Sequence, residues 1–395
     1  MLLSDALSSS ALSGIYVAKG RPSDNPLIVH VHSHAQFLSL GRDIPRLALR
    51  LAERFWPGPL TLIVPTARGE GAASEKARAG LDCVGVRMPN HPVALALLRA
   101  CGVPLAAPSA NLSGRPSPTT AAHVATDLTG RVAGIVDGGA AEGVGLESTV
   151  VECEDGATES DPGWATILRP GGITREMLEE VVGVGRVRID PAIEALQASP
   201  VDQSAAVQSL PKQSAKRGTD RADVASLLGS PSAAAASSSP SPSPLASSPA
   251  LATSSPSTPG PKAPGMKYTH YAPRAPLLLV DGRTAFLLDT AASYMAKGDV
   301  VGVLATEESR AEIESWMVAR GFDASLLHLL IVGRRSDLAS VARGLYGALR
   351  AFDDTHVQII LSEVFPAEGG LGEAVMNRLN KAAGGRTIKE PPSSS

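Results

Sequence analysis

Lys19 and Arg21 flank a glycine in the stretch KGRPSDNPLIVH (residues 19–30), with Asn25 and His30 a little further on. Two cations and an amide on a Gly/Pro turn at the mouth of an apolar strand are suited to meeting an anion. A guanidinium fork pairs phosphate or carboxylate bidentately, and an ammonium adds a point charge. Polar residues recur where later apolar runs end: Arg87 in VRMP, Ser109 and Asn111 in APSAN, Ser148 and Thr149 in GLESTVV, Arg169 in LRPGG. Ligand sites of open α/β sheets form at strand ends. Singly, each has an ordinary structural reading. An arginine after a strand is a solvated end, and Ser117 or Thr119 caps a helix entering at Ala121. Together, Lys19, Arg21 and Arg169 with these hydroxyls and amides describe an anion-binding cleft without catalytic carboxylate, thiol or metal cage.

HVHSH offers a rival. His30, His32 and His34 alternate, so a continuing strand puts three imidazoles on one face, a donor set for zinc or iron. Against it, no Asp or Glu in the segment completes a ligand set, and the chain turns polar at Ser33.

The 395 residues suffice for two cores, and 44% hydrophobic content fits globular α/β proteins. Cys83, Cys101 and Cys153 form no C-x-x-C pair, which excludes a thiolate framework and suits a reducing compartment. No apolar run reaches the ~20 residues of a bilayer span. The first twenty residues read as an amphipathic helix on Leu3, Leu7, Ala11 and Ile15, a reading preferred over a transit peptide. Residues 184–263 collapse into Ser, Pro and Ala, too poor in apolar surface to offset ordering entropy, and read as a disordered linker.

Two α/β regions flank that linker. Residues 1–183 carry short strand candidates (PLIVHVH, LTLIVPT, GVRMP, PLAAPS, GIVDGG, STVVEC, ATILRPG) and helices near 43–55, 91–101 and 119–129, predicting a twisted mixed sheet. Residues 276–384 alternate apolar strands at 276–280, 300–305, 327–333 and 357–364 with helices at 284–297, 307–320, 335–352 and 371–383. Continuous apolar strands between helices predict a Rossmann-like three-layer α/β/α domain. It lacks G-x-G-x-x-G, and no P-loop occurs anywhere. Residues 385–395 read as a disordered tail.

KGRPSDNPLIVHV, GVRMPNHP, PLAAPSANLSGRPSPT, ESTVV, ILRPGG and PGMKYTHYAP follow one another as in the YrdC-like threonylcarbamoyl-adenylate synthases, which this chain resembles in their long, two-domain form. GLYGALRAFDD through GLGEAVMNRLNKAA is similar to the appended domain. The resemblance implies a nucleotidyltransferase joining L-threonine, bicarbonate and ATP into threonylcarbamoyl-AMP and pyrophosphate, with Mg2+ accompanying ATP. A tRNA-modifying threonylcarbamoyl transferase complex would then use the product. By resemblance Lys19, Arg21, Asn25, Asn111, Thr119 and Arg169 hold ATP, and His30, Arg87, Ser109 and Ser148 hold threonine. Residues 264–275 match the interdomain loop that covers the active site, with Tyr268, His270 and Tyr271 shielding the adenylate from water.

The family opens with a strand reading Pro-Thr-Glu-Thr-Val-Tyr-Gly-Leu, whose Thr and Tyr line the pocket. This chain begins after it, which implies a fragment or a site short of one wall. The other function class is an RNA-binding relative without catalysis, including contact with double-stranded RNA or weakly with tRNA. Residues 1–183 carry fifteen Lys and Arg against nineteen Asp and Glu, which disfavours a phosphate-tracking surface. The expected compartment is the cytoplasm, with mitochondrion or plastid as alternatives.

Overall fold

The computed structural model describes residues 1–141, 143–158, 160–193, 261–265, 270–321, 323–367 and 369–392. Two sheets organise them, within one compact unit.

The first sheet is mixed and eight-stranded, ordered β1-β5-β2-β4-β3-β6-β7-β8. Its strands are β1 (Ser4–Asp5), β2 (Ile28–His30), β3 (Leu60–Pro65), β4 (Cys83–Arg87), β5 (Leu105–Ala106), β6 (Thr149–Glu154), β7 (Trp164–Arg169) and β8 (Val187–Ile189). Helices α1 (Ser9–Lys19), α2 (His34–Leu40), α3 (Arg46–Phe55), α4 (Glu75–Arg78), α5 (Pro92–Cys101), α6 (Ala121–Leu128) and α7 (Arg175–Val182) accompany it. β3 and α3 show why the sequence folds this way. LTLIVP is buried at five consecutive positions, and α3 buries Leu47, Ala48, Leu51, Ala52 and Phe55 at helical spacing while its arginines face out.

The second sheet is wholly parallel, ordered β11-β10-β12-β9-β13. Its strands are β9 (Leu277–Asp281), β10 (Val301–Ala305), β11 (Leu327–Ile331), β12 (Ile359–Glu363) and β13 (Thr387–Lys389). Helices α8 (Thr284–Met295), α9 (Glu307–Arg320), α10 (Leu338–Asp353) and α11 (Gly370–Ala383) connect them. α8 packs with α9 and α10 with α11, the paired layers expected of right-handed crossovers. The fold class is the one the sequence predicts: a mixed α/β domain followed by a three-layer one.

Several elements differ from expectation. The N-terminal helix starts only at Ser9, because the Ser8 hydroxyl caps the Ala11 N–H, and residues 4–5 pair with β5 instead. Its buried face is Leu12, Ile15, Tyr16 and Ala18, so Leu3 and Leu7 precede the helix and Ala11 is exposed. GIVDGG forms no strand; Ile135 and Val136 are exposed. The cap of α6 is Thr120, not Ser117 or Thr119. Within the stretch expected as linker, β8 pairs with β7 and Ala263 is only 2% exposed; residues 194–260 of that stretch lie outside the described residues. The expected tail contains β13, whose pairing with β9 supplies the hydrogen bonds an isolated TIK lacks. The three-histidine face does not form: β2 ends at His30, His32 lies in a bend and His34 opens α2.

α10 and α11 lean on the first domain through buried charge. Asp127, 4% exposed, accepts from Arg115 (2.6 Å) and from Arg350 of α10 (2.7 Å). Among the described residues no helix is long and apolar enough to cross a membrane.

Candidate functional site

α1 ends at Lys19 because Gly20 takes up φ +60°, a conformation costly to residues with a Cβ. The chain turns back so that Lys19 and Arg21 point inward. Lys19 Nζ donates to the carbonyls of Ser109 (2.5 Å) and Asn111 (2.6 Å) and to Asn111 Oδ1 (3.3 Å). Arg21 donates to the carbonyls of Asn25 (3.2 Å) and Pro26 (2.7 Å). Asn111 in turn donates to the Leu112 and Arg115 carbonyls, both at 2.9 Å.

The other half lies across one face of the sheet as well as at its strand ends. His30 is in register with Arg87, and Thr61 stands one step beyond the Leu62–Val86 pair on β3. Residues facing each other across a ladder share a face, so His30, Arg87 and Thr61 form one row. Arg87 Nε donates to the Gly58 carbonyl (2.9 Å). Gly85 keeps the next row low, since a Cβ there would meet Ile63 at 3.2 Å. Ser148 shares a 2.8 Å hydroxyl hydrogen bond with Thr61, and Arg169 donates to the Ser148 carbonyl (3.2 and 2.9 Å) and hydroxyl (3.2 Å).

A short segment crosses this face. Ala263 packs on Ile63, Val150 and Leu168, and Lys262 pairs with Glu152 at 2.6 Å. Arg169 Nη1 donates to the Pro264 carbonyl (3.3 Å), and the Gly265 N–H donates to Asn25 Oδ1 (3.3 Å). Beyond it, Tyr271 sits at φ +67°, where an aromatic residue pays about 1–2 kcal/mol. Its buried ring, 5.2 Å from Tyr346 and 6.0 Å from the Arg378 guanidinium, holds it there.

Sequence reasoning missed Thr61, Glu147, Tyr346, Arg378 and Lys381. The Glu147 carboxylate accepts from Ser117 (2.7 Å), Tyr346 of α10 (2.7 Å) and Arg378 of α11 (3.1 Å). Arg378 also donates to the Pro170 carbonyl, next to Arg169. Thr61 was detectable, being in step with Ile63 along β3. Among the described residues no hydrogen bond ties Thr119 to the cluster; its hydroxyl lies 3.1 Å from His123 Nδ1. Tyr268 lies outside the described residues.

The electrostatics are one-sided. Burial, then Arg21, pulls the Lys19 ammonium down to about 7. Burial holds Arg21 and Arg87 near 10, and Arg169 is also lowered by burial. His30 falls to about 3 through burial and Arg87, and His270 to about 4 through burial, Arg21 and Lys381. These cations rest mainly on neutral carbonyls. Asn25 Nδ2, His30 Nε2, His270 Nε2 and Arg378 Nη2 are buried and find no hydrogen-bond partner among the described residues. Asn25 Nδ2 and Arg378 Nη2 are donors, and these with crowded like charges are costly unless an anion satisfies both, whereas neutral His30, whose Nδ1–H faces the Ile28 carbonyl, offers Nε2 as an acceptor.

A cation-lined face of a mixed sheet, crossed by a short segment and followed by a parallel domain, defines a two-domain α/β protein whose buried cations are suited to an anion. Residues 1–171 match the Sua5/YciO/YrdC family model, described as "Telomere recombination", and residues 221–384 match the C-terminal domain of threonylcarbamoyl-AMP synthase. Threonylcarbamoyl-AMP synthase of Bacillus subtilis is 40% identical over 98% of this chain and 87% of its own length. Its Pyrococcus abyssi counterpart is 36% identical over 98% and 88%. The crystal structure of P. abyssi Sua5 complexed with L-threonine superimposes with a TM-score of 0.70 at 35% identity, covering 98% of this chain and 88% of that one. The chain belongs to the threonylcarbamoyl-AMP synthase family.

Proposed function

We infer that the chain makes threonylcarbamoyl-AMP from L-threonine, bicarbonate and ATP, the first step of tRNA threonylcarbamoyladenosine formation. The amine of threonine takes up carbon from bicarbonate with loss of water, giving a carbamate. A carbamate oxygen then attacks the α-phosphorus of ATP; the new P–O bond forms as the bond to pyrophosphate breaks. No enzyme nucleophile enters, so catalysis rests on bringing two anions together and neutralising the leaving pyrophosphate.

The observation that carries this reading is the convergence of Arg169 and Asn25 on the Pro264–Gly265 segment, with Lys19 and Arg21 alongside. In this reading Lys19, Arg21, Asn25, Asn111 and Arg169 hold ATP, with Thr119 at the margin. His30, Arg87, Ser109 and Ser148 hold threonine, and His270 and Tyr271 exclude water. Magnesium enters with ATP: among the described residues no cluster of His, Cys, Asp or Glu offers a cage, and Glu147 is already engaged. Bound there, it would offset phosphate charge. The product passes to a tRNA-modifying transferase complex, with the cytoplasm as the proposed compartment and any tRNA contact weak. The deciding assay is pyrophosphate release that depends on both threonine and bicarbonate and needs no RNA; its absence from the purified chain overturns the reading.

Two results follow. Arg87→Ala should raise the threonine KM about 10–100-fold, the worth of a charge-assisted pair, and leave the ATP KM within about threefold. ATP binding should weaken by up to about tenfold per pH unit as pH rises above about 7. Lys19 is held low by burial, Arg21 and Arg350 against Asp127, and loses its proton in that range, whereas phosphate favours the charged form. Titration calorimetry in buffers of different ionisation enthalpy should accordingly show proton uptake.

A further inference from the structure

β3 and β4 run antiparallel, so the first sheet has two distinct ends. Thr61, at the start of β3, lies beside Arg87 at the end of β4, where the ATP and threonine candidates gather. At the other end Pro65 pairs with Cys83. There, roughly 16 Å further along β3 at ~3.3 Å per residue, opens a pocket of about 460 Å³. The charged groups on its wall are Arg42, Arg68, Arg78 and Asp82, three cations to one anion. Two of the guanidiniums are anchored along one edge by neutral acceptors. Arg42 Nε donates to the Thr66 carbonyl (3.1 Å), Arg78 Nε to the Ala73 carbonyl (3.1 Å) and Arg78 Nη1 to the Leu81 carbonyl. Arg42 Nη1 also lies 3.5 Å from Asp43, and Nη2 of both arginines makes no hydrogen bond among the described residues. Cations fixed in this way lose little freedom on meeting an anion. Arg68 stands exposed on the connecting loop, beside Gly69, where an added Cβ would meet nothing within 4 Å. Thr66 gives an independent sign. It lines the same pocket and is 6% exposed, and its buried hydroxyl finds no hydrogen-bond partner among the described residues. A hydroxyl in that state is costly until something bonds to it.

We propose that this pocket is a further, non-catalytic binding site for a small phosphate ester, its phosphate held by Arg42, Arg68 and Arg78 with the Thr66 hydroxyl as an additional donor. Guanidinium forks match phosphate oxygens, which accounts for the class of anion. The volume accounts for the ester: it lies in the range of small-molecule sites, and a phosphate ion alone would leave most of it unfilled. A concave site in a domain with more acidic than basic residues suits a small anion better than the backbone of an RNA.

The test is hydrogen-exchange mass spectrometry of the full chain with AMP, ribose 5-phosphate and inorganic phosphate, read at residues 66–82. Both esters should slow exchange there in a saturable manner, and inorganic phosphate should need at least about tenfold more to do so. Arg68→Glu changes an exposed side chain. It should raise the ester concentration needed at least about tenfold and leave threonine-dependent pyrophosphate release within about twofold. Thr66→Val should weaken both esters about threefold or more without lowering the melting temperature of the free chain, because the hydroxyl it removes has no partner to lose. No protection by either ester overturns the proposal. So does protection that Arg68→Glu or Thr66→Val leaves unchanged, or that inorganic phosphate gives as readily as the esters. Protection by a tRNA and by neither ester also overturns it, and would make this end of the sheet an RNA contact instead.

Discussion

Arg169→Ala is expected to lower threonine-dependent pyrophosphate release about 10²–10³-fold in kcat/KM for ATP, the usual cost of removing a preorganised donor from a water-excluded site. Arg169 is 4% exposed and ends β7. It joins Ser148, a threonine-binding candidate, to Pro264 on the covering segment. Its loss therefore removes a charge facing the phosphates and also unpins the cover. Arg169→Lys should recover only part of the rate, because an ammonium cannot reproduce the fork that makes three hydrogen bonds to Ser148 and one to Pro264. Steady-state kinetics with thermal melting as a folding control checks both variants; an Arg169→Ala chain with wild-type kcat/KM would remove Arg169 from the site.

Glu147→Leu is expected to cost about 3–5 kcal/mol of stability at neutral pH, because it strands the Arg378 guanidinium, which is fully buried, without its carboxylate. The Tyr346 and Ser117 hydroxyls lose their acceptor as well. The pH dependence has a definite sign. Burial by itself would raise the Glu147 carboxyl, but Arg378 and Arg169, with hydrogen bonds from Tyr346 and Ser117, hold it at about 2. Its folded value lies below the unfolded one, so the stabilisation is complete above the ordinary carboxylate range and fades as pH falls toward 2. Urea denaturation should show a wide gap between wild type and variant at pH 7 that narrows by pH 3. A gap independent of pH would mean that packing, not charge, accounts for the loss.

Local pattern was enough for much of this. The run LTLIVP and the helix-spaced leucines of α3 identify buried elements, since burial of a face leaves its period in the sequence whatever that face packs against. The ordered stretches from KGRPSDNPLIVHV to PGMKYTHYAP carry the family, and most candidate site residues stand in them. Where a short segment takes its structure from a distant partner, the pattern is silent or misleading. TIK becomes β13 only because β9 offers it hydrogen bonds, while GIVDGG, as apolar as several real strands, is offered none and stays irregular. The His30, Arg87 and Thr61 row depends on which strands lie side by side and in what register, and register is a property of the assembled sheet.

The sequence by itself determined which side chains gather: a Gly/Pro turn bearing Lys19, Arg21 and Asn25, and small polar residues around Arg169, carry chemistry suited to an anion because charge and hydrogen-bonding capacity travel with residue type. Only the tertiary structure decided that the second domain packs its own charges against these residues. In NRLNKAA, Arg378 and Lys381 are two cations on a helix, with nothing nearby in the sequence to mark their partners. They became buried partners of Glu147 and Gly265 when α11 docked more than a hundred residues along the chain from either. The worth of a charge is set by its surroundings once water is excluded, and those surroundings come from residues no local pattern connects.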